Sequence, residues 1–157
     1  MKLVRGLLLC LLAMSWTLSS PAASTWKTDK TSGCRFEIPD TWQDYSVQWI
    51  GACVDGKADG PGVLRSFGHG KLRELYFGRI QRGVLVIGVI ETPDGYIAGR
   101  FSEGKPLKDE DRNTYISAFR EAAAAANSTS EFYRSKGNEA SARFYAEKAK
   151  SLDNQMD

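Results

Sequence analysis

Few residue sets in this chain of 157 residues have the types and spacing that chemistry needs. His69 is the only histidine, within Phe67-Gly68-His69-Gly70-Lys71. Without a second histidine it builds neither a His-based metal site nor a Cys–His nucleophile pair, and it reads as an exposed loop residue. Of the cysteines Cys10, Cys34 and Cys53, only the last two lie outside the N-terminal segment discussed below. They lack C-x-x-C spacing, and a metal site would want more Cys or His. An even pair in an exported chain favours a disulfide, worth about 3 kcal/mol for a loop of this length. The run Gly56-Lys57-Ala58-Asp59-Gly60-Pro61-Gly62 lacks the Gly-Lys-Ser/Thr ending of a phosphate loop and precedes no helix. A glycan hydrolase needs only two carboxylates. Asp59, Glu91 and Glu103 are the available candidates, since Asp55 and Asp94 are explained by turn chemistry. No other catalytic set emerges, so the expectation is a protein that is not an enzyme and carries no cofactor.

Binding chemistry is better represented. Trp26, Trp42, Trp49, Tyr76, Phe77, Tyr96 and Phe101 concentrate before residue 107. Packing between strands accounts for most of them. A strip left exposed, centred on Trp49, Tyr76 and Tyr96, would bind a sugar, a lipid or a protein. Arg79, Arg82 and Arg100 share this region, and a column of arginines would meet anionic head groups or an acidic partner. The plainer reading pairs such arginines across strands with Glu74, Glu91 and Glu103.

The elements that position these residues lie behind an export signal. Lys2 and Arg5 precede the apolar run from Leu7 to Met14, and Ser19-Ser20-Pro21-Ala22-Ala23 offers small residues for cleavage near Ala23. The run is too short for a spanning helix, which needs about 20 apolar residues. Cys10 sits inside it, which argues against a lipid anchor. The expected address is periplasmic or secreted, without stable membrane insertion. The chain has 21 basic and 19 acidic residues, and removing Lys2 and Arg5 leaves 19 of each sign. That balance argues against nucleic acid as a partner.

Past residue 23 the composition changes near residue 107. Twelve of the 15 glycines fall between Gly51 and Gly104. Strand-like runs occur at 34–38, 45–50, 63–67, 74–80, 84–92 and 96–101. Asp55-Gly56 and Asp94-Gly95 are type I′ hairpin signals, and Arg82-Gly83 and Glu103-Gly104 occupy similar places. Beyond them, Asp109-Glu110-Asp111 suits a helix N-terminus. Tyr115, Phe119, Ala122 and Ala126 recur at helical spacing. Ser128 with Glu131 forms a capping-box pattern that predicts a restart or kink, and Gly137-Asn138 a second break. Ala142, Tyr145, Ala149, Leu152 and Met156 form a narrow apolar stripe. The reading is an α+β protein: a signal over 1–23, a meander of antiparallel hairpins over 24–106, and a helical hairpin over 107–157 with helices at 108–136 and 138–154. The stripe over 142–156 must be covered by the first helix, by the β half or by a second copy in a homodimer.

The glycines also repeat. Trp49-Ile50-Gly51-Ala52-Cys53-Val54-Asp55-Gly56, Tyr76-Phe77-Gly78-Arg79-Ile80-Gln81-Arg82-Gly83 and Tyr96-Ile97-Ala98-Gly99-Arg100-Phe101-Ser102-Glu103-Gly104 share one pattern. Each runs aromatic, Gly, one residue, a hydrophobic (Cys in the first), two residues, Gly. The first unit continues through Gly60, Gly62, Leu64 and Phe67. In this it resembles the MORN repeat family, over about residues 47–106. Cys53 replaces the family's aromatic, Gly88 falls one place late, and the third unit stops at Gly104. The resemblance implies stacked hairpins with caps at the ends and a scaffolding role, with lipid head-group contact sometimes proposed. The functional expectation is therefore a non-enzymatic binding or scaffold protein of the cell envelope that engages a protein partner. The alternatives are an inhibitor or immunity protein neutralising an envelope-acting toxin or hydrolase, and a carboxylate-pair glycan hydrolase.

Overall fold

The computed structural model describes residues 25–156. The export segment and its cleavage point lie outside the described residues. The architecture is α+β, a curled antiparallel meander followed by a two-helix hairpin. The strands are β1 (Trp26–Thr28), β2 (Arg35–Glu37), β3 (Ser46–Val54), β4 (Lys57–Gly68), β5 (Lys71–Gln81), β6 (Val84–Thr92), β7 (Gly95–Ser102) and β8 (Lys105–Pro106). The helices are α1 (Arg112–Ser135) and α2 (Glu139–Asp153). Strands β3 to β8 pair in chain order, and β2 touches β4 in parallel at Arg35 and Lys57.

The sheet has two covered faces and therefore two cores. Trp49, Leu64, Tyr76, Ile90 and Phe101 pack with Cys34, Phe36, Ile38 and Trp42 of the N-terminal segment. Ile50, Val63, Phe77 and Val89 point the other way and pack with Ala118, Ala122, Ala126, Tyr145, Ala149 and Leu152 of the helices. The two halves of the sequence thus share a core. The helical hairpin and the N-terminal segment cover faces of the sheet; neither stacks on the end of a repeat array.

Glycine makes the first face possible. Gly62 pairs with Gly78, Gly78 with Gly88 and Gly88 with Gly99, so a row of glycines crosses four strands. The Trp49 ring lies over Gly51 and Gly62, and the Tyr76 ring over Gly78 and Gly88. A Cβ on Gly78 would stand 2.6 Å from the Tyr76 hydroxyl and 2.7 Å from the Gly88 Cα. Each aromatic covers glycines of its own repeat rather than those of the next. Gly88, out of step in the repeat pattern, is in register in the sheet.

Across this face runs a clasp, residues 25–42. It meets the tips of successive hairpins on one side of the sheet. The Arg35 N–H donates to the Gly56 carbonyl at 2.8 Å, the Glu37 N–H to Gly83 at 2.7 Å and the Asp40 N–H to Gly104 at 3.0 Å. Those tips have both central residues at positive φ: Asp55-Gly56, Arg82-Gly83 and Glu103-Gly104. His69-Gly70 does the same on the opposite side. Asp94-Gly95 does not: the turn residues are Pro93 and Asp94, and the fixed negative φ of Pro93 forbids type I′ there. The Cys34–Cys53 disulfide, with Cα atoms 5.9 Å apart, ties the clasp to β3.

The helices follow their caps. The Asp111 carboxylate accepts from the Thr114 N–H at 2.8 Å and starts α1, and Asn138 does the same for Ser141 at 3.0 Å and starts α2. The expected restart at Ser128 does not occur. α1 runs unbroken through it, because Thr129 and Ser130 are buried and the Ser130 hydroxyl donates to the Ala142 carbonyl of α2 at 2.7 Å. Of the apolar stripe, Ala142, Tyr145, Ala149 and Leu152 are buried within this one chain.

Candidate functional site

The structure disperses the residues expected to bind. Trp49 and Tyr76 are core residues, 6% and 0% exposed. The Tyr76 hydroxyl sits 3.0 Å from the carbonyl oxygens of both Arg79 and Ile87, and burial pushes its pKa far up, so it stays a donor. Tyr96 packs edge-on against Phe119 at 5.7 Å on the helix side. Arg79 and Arg100 do align, flanking Ile87 across three strands. Their charges are taken by the helical half: Arg79 pairs with Glu121 at 3.0 Å and Arg100 with Glu110 at 2.9 Å. Cross-strand pairing with Glu74, Glu91 and Glu103 is replaced by pairing to α1 and the loop before it. Arg82 occupies a hairpin tip at positive φ.

The acids expected to act as a pair are also apart. Asp59 lies near the start of β4, Glu103 occupies the tip after β7, and Glu91 lies near the end of β6 on the opposite side of the sheet, bonded to Lys148 at 2.5 Å. The acids that the fold buries, Asp29 and Glu37, were not singled out from the sequence. Asp29 accepts from the Thr31 and Trp49 N–H groups at 2.8 and 3.1 Å. Glu37 accepts from Leu85 at 3.2 Å and from the Gly104 amide. Burial holds the Glu37 carboxyl above its usual range, with those amides opposing. Both acids serve the backbone. A cleft of about 560 Å³ beside Asp29 holds Lys27, which donates to the carbonyl oxygens of Trp42, Gln43 and Tyr45. With three protons donated to three carbonyls, that amine is a buttress.

One region remains available: the corner where the end of α1 and the start of α2 lie over the sheet. Its aromatics form a ladder. Phe132 packs edge-on against Tyr133 at 5.4 Å, Tyr133 stacks on Tyr145 at 5.6 Å with 3° between planes, and Phe144 packs edge-on against Tyr145 at 5.0 Å. Tyr145 in turn touches Phe77 of the sheet, 6.4 Å away. Of the inner rungs Tyr145 is buried and Tyr133 half-buried, while the outer rungs Phe132 and Phe144 are 47% and 40% exposed. Beside each lies a cleft of about 300 Å³. One is floored by Ile50, Pro61 and Thr129, the other by Leu72, Leu75 and Pro93.

Cations surround this ladder. Lys136 lies 5.8 Å over the Phe132 ring, Lys148 5.5 Å over Phe144, and the Arg65 guanidinium 5.5 Å over Phe67. Arg65 also donates to the Gln48 side-chain oxygen at 2.6 Å. Burial pushes the Tyr145 hydroxyl up to about 12, opposed by the nearby Arg65 charge. Phe132 and Phe144 lie off the apolar stripe, and that displacement is the sequence signal that marks them.

Among the described residues no helix is long and apolar enough to cross a membrane, and no cluster of three or more His, Cys, Asp or Glu side chains is placed to hold a metal ion. No protein-family profile, no curated protein and no solved structure matches the chain.

Proposed function

We propose that this is a non-enzymatic, exported binding protein of the cell envelope, and that it engages a protein partner through the aromatic corner. The observation that carries this reading is the contrast within one ladder, where the inner tyrosines are packed and the two outer phenylalanines are open beside side-chain-sized clefts. Exposed aromatics that are rigidly held beside clefts are the usual anchors of protein interfaces. The disulfide supports an oxidising compartment, as the N-terminal export pattern does. The placement departs from the repeat-face surface expected from the sequence, because that face is occupied by the clasp.

The test is a paired capture. The mature wild type and a Phe132→Ser/Phe144→Ser variant are each immobilised and exposed to the organism's envelope fraction. Equal folding is checked by far-ultraviolet circular dichroism and thermal melting. The expected result is one near-stoichiometric protein on the wild type that is lost from the folded variant. The same proteins on both, or none on either, would overturn the assignment.

A further inference from the structure

The charges at the corner carry the reading further and name the chemistry of the partner. Arg65, Arg79 and Arg100 occupy the helix-facing side of the sheet and differ in their partners. Arg79 and Arg100 are each neutralised by a carboxylate of the same chain. Arg65, in register with Gln48 on one side and Leu75 on the other, forms no ion pair among the described residues. It is held instead by Gln48, the Tyr145 hydroxyl and the Phe67 ring, and its buried Nε–H donates to nothing among the described residues. Lys136 likewise rests on Phe132 without forming an ion pair. On β5 and β6, Glu74 accepts from the Trp42 indole at 2.5 Å, and Glu91 holds Lys148 through Oε1 while its Oε2 is buried without a hydrogen bond among the described residues.

A guanidinium that is partly buried, with its Nε–H undonated and no counter-charge at ion-pair distance, is costly, and a carboxylate best compensates it, because its two oxygens match the guanidinium fork. We infer that the partner presents an acidic segment, with carboxylates directed to Arg65 and Lys136 and apolar side chains seated in the clefts beside Phe132 and Phe144. This rests on the corner being the binding site. A protein segment is favoured over other anionic polymers because each cleft beside an exposed ring has the volume of one or two side chains.

The test uses the mature protein and three capped peptides of equal length. One alternates Glu or Asp with Leu and Phe, one replaces the acids by Gln and Asn, and one by Lys. Binding is read by fluorescence anisotropy and by nitrogen-15 NMR, in which the Arg65 Nε–H gives its own resonance. The acidic peptide is expected to bind, to shift that resonance, and to exceed the neutral peptide by about tenfold, the worth of one exposed charge-assisted contact. Arg65→Met should remove that advantage and Arg65→Lys should restore part of it, with unchanged circular dichroism in both. Failure of the acidic peptide to bind, equal binding of the Lys peptide, an unmoved Arg65 resonance, or binding only to phosphatidylglycerol vesicles would each overturn the inference. The two proposals fail separately. Envelope capture lost in Phe132→Ser/Phe144→Ser but kept in Arg65→Met leaves the corner as the site and removes only the acidic partner.

Discussion

The two faces of this sheet are finished in opposite ways. On the clasp face, backbone does the work: a row of glycines lets Trp49 and Tyr76 lie flat on the strands, and an extended segment seals them by hydrogen-bonding the hairpin tips. On the helix face, side chains do the work: alanines of α1 settle on Val63, Phe77 and Val89, and the contact ends in a ladder whose outer rungs stay open. A face closed by main-chain contacts has no room for change. A face closed by packing can stop short and leave groups exposed, and in this protein it is the second kind that presents aromatics and uncompensated charge.

Substitutions should separate the faces by size of effect. Gly78→Val attacks the clasp face where there is least room, between the Tyr76 hydroxyl and the Gly88 Cα. It should cost about 4 kcal/mol or more and abolish the cooperative urea transition. A variant that still unfolds cooperatively near the wild-type midpoint would show the glycine row to be dispensable. Replacing both cysteines by Ala should cost about 3 kcal/mol, read from the same transition. A loss much smaller than that would mean that the hydrogen bonds to Gly56, Gly83 and Gly104 hold the clasp by themselves.

Glu37 gives the clasp face a pH signature. Its carboxyl titrates above the ordinary 4.5 because burial disfavours the charge. A group raised in the folded state favours folding below its unfolded value and loses that contribution as pH rises through the folded value. The wild type should therefore lose stability relative to Glu37→Gln as the pH rises through the weakly acid range. Parallel stability curves would show the carboxylate to be fully compensated by Leu85 and Gly104. The helix face should respond least. Arg79→Gln breaks a half-exposed ion pair and should cost under about 1 kcal/mol. Phe132→Ser and Phe144→Ser should each stay within about 0.5 kcal/mol while abolishing partner capture. A large stability loss at either phenylalanine would reassign it to the core.

Much of this fold is written in local signals. The hairpins announce themselves at Asp55-Gly56, Arg82-Gly83 and Glu103-Gly104, the helix starts at Asp111 and Asn138, and the disulfide follows from the pairing of Cys34 with Cys53. The site is written less plainly. Trp49 and Tyr76 have the same alternation whether they face a core or a ligand, and only the distant clasp decides which. Glu37 lies between Phe36 and Ile38, which is the pattern of a strand with one wet face, yet the tips close over it and bury both sides. Arg65 reads as one more polar strand residue, and its lack of a counter-charge is a tertiary fact. Phe132 and Phe144 were legible in principle as aromatics off a helix stripe, but a stripe draws attention to what lies on it.

The three tips meet the clasp in the order in which they are made. Gly56 bonds residue 35, Gly83 residue 37 and Gly104 residue 40. A chain is synthesised from its N-terminus, so the line of N–H donors exists before any hairpin that will use it. Cys34 and Cys53 are also both in place before β4 begins. Each hairpin can then dock on completion beside the one before it, as teeth close along a zip fastener whose slider follows the emerging chain. No tip has to pass a position already filled, and residues 25–92 contain both partners of two of the three contacts.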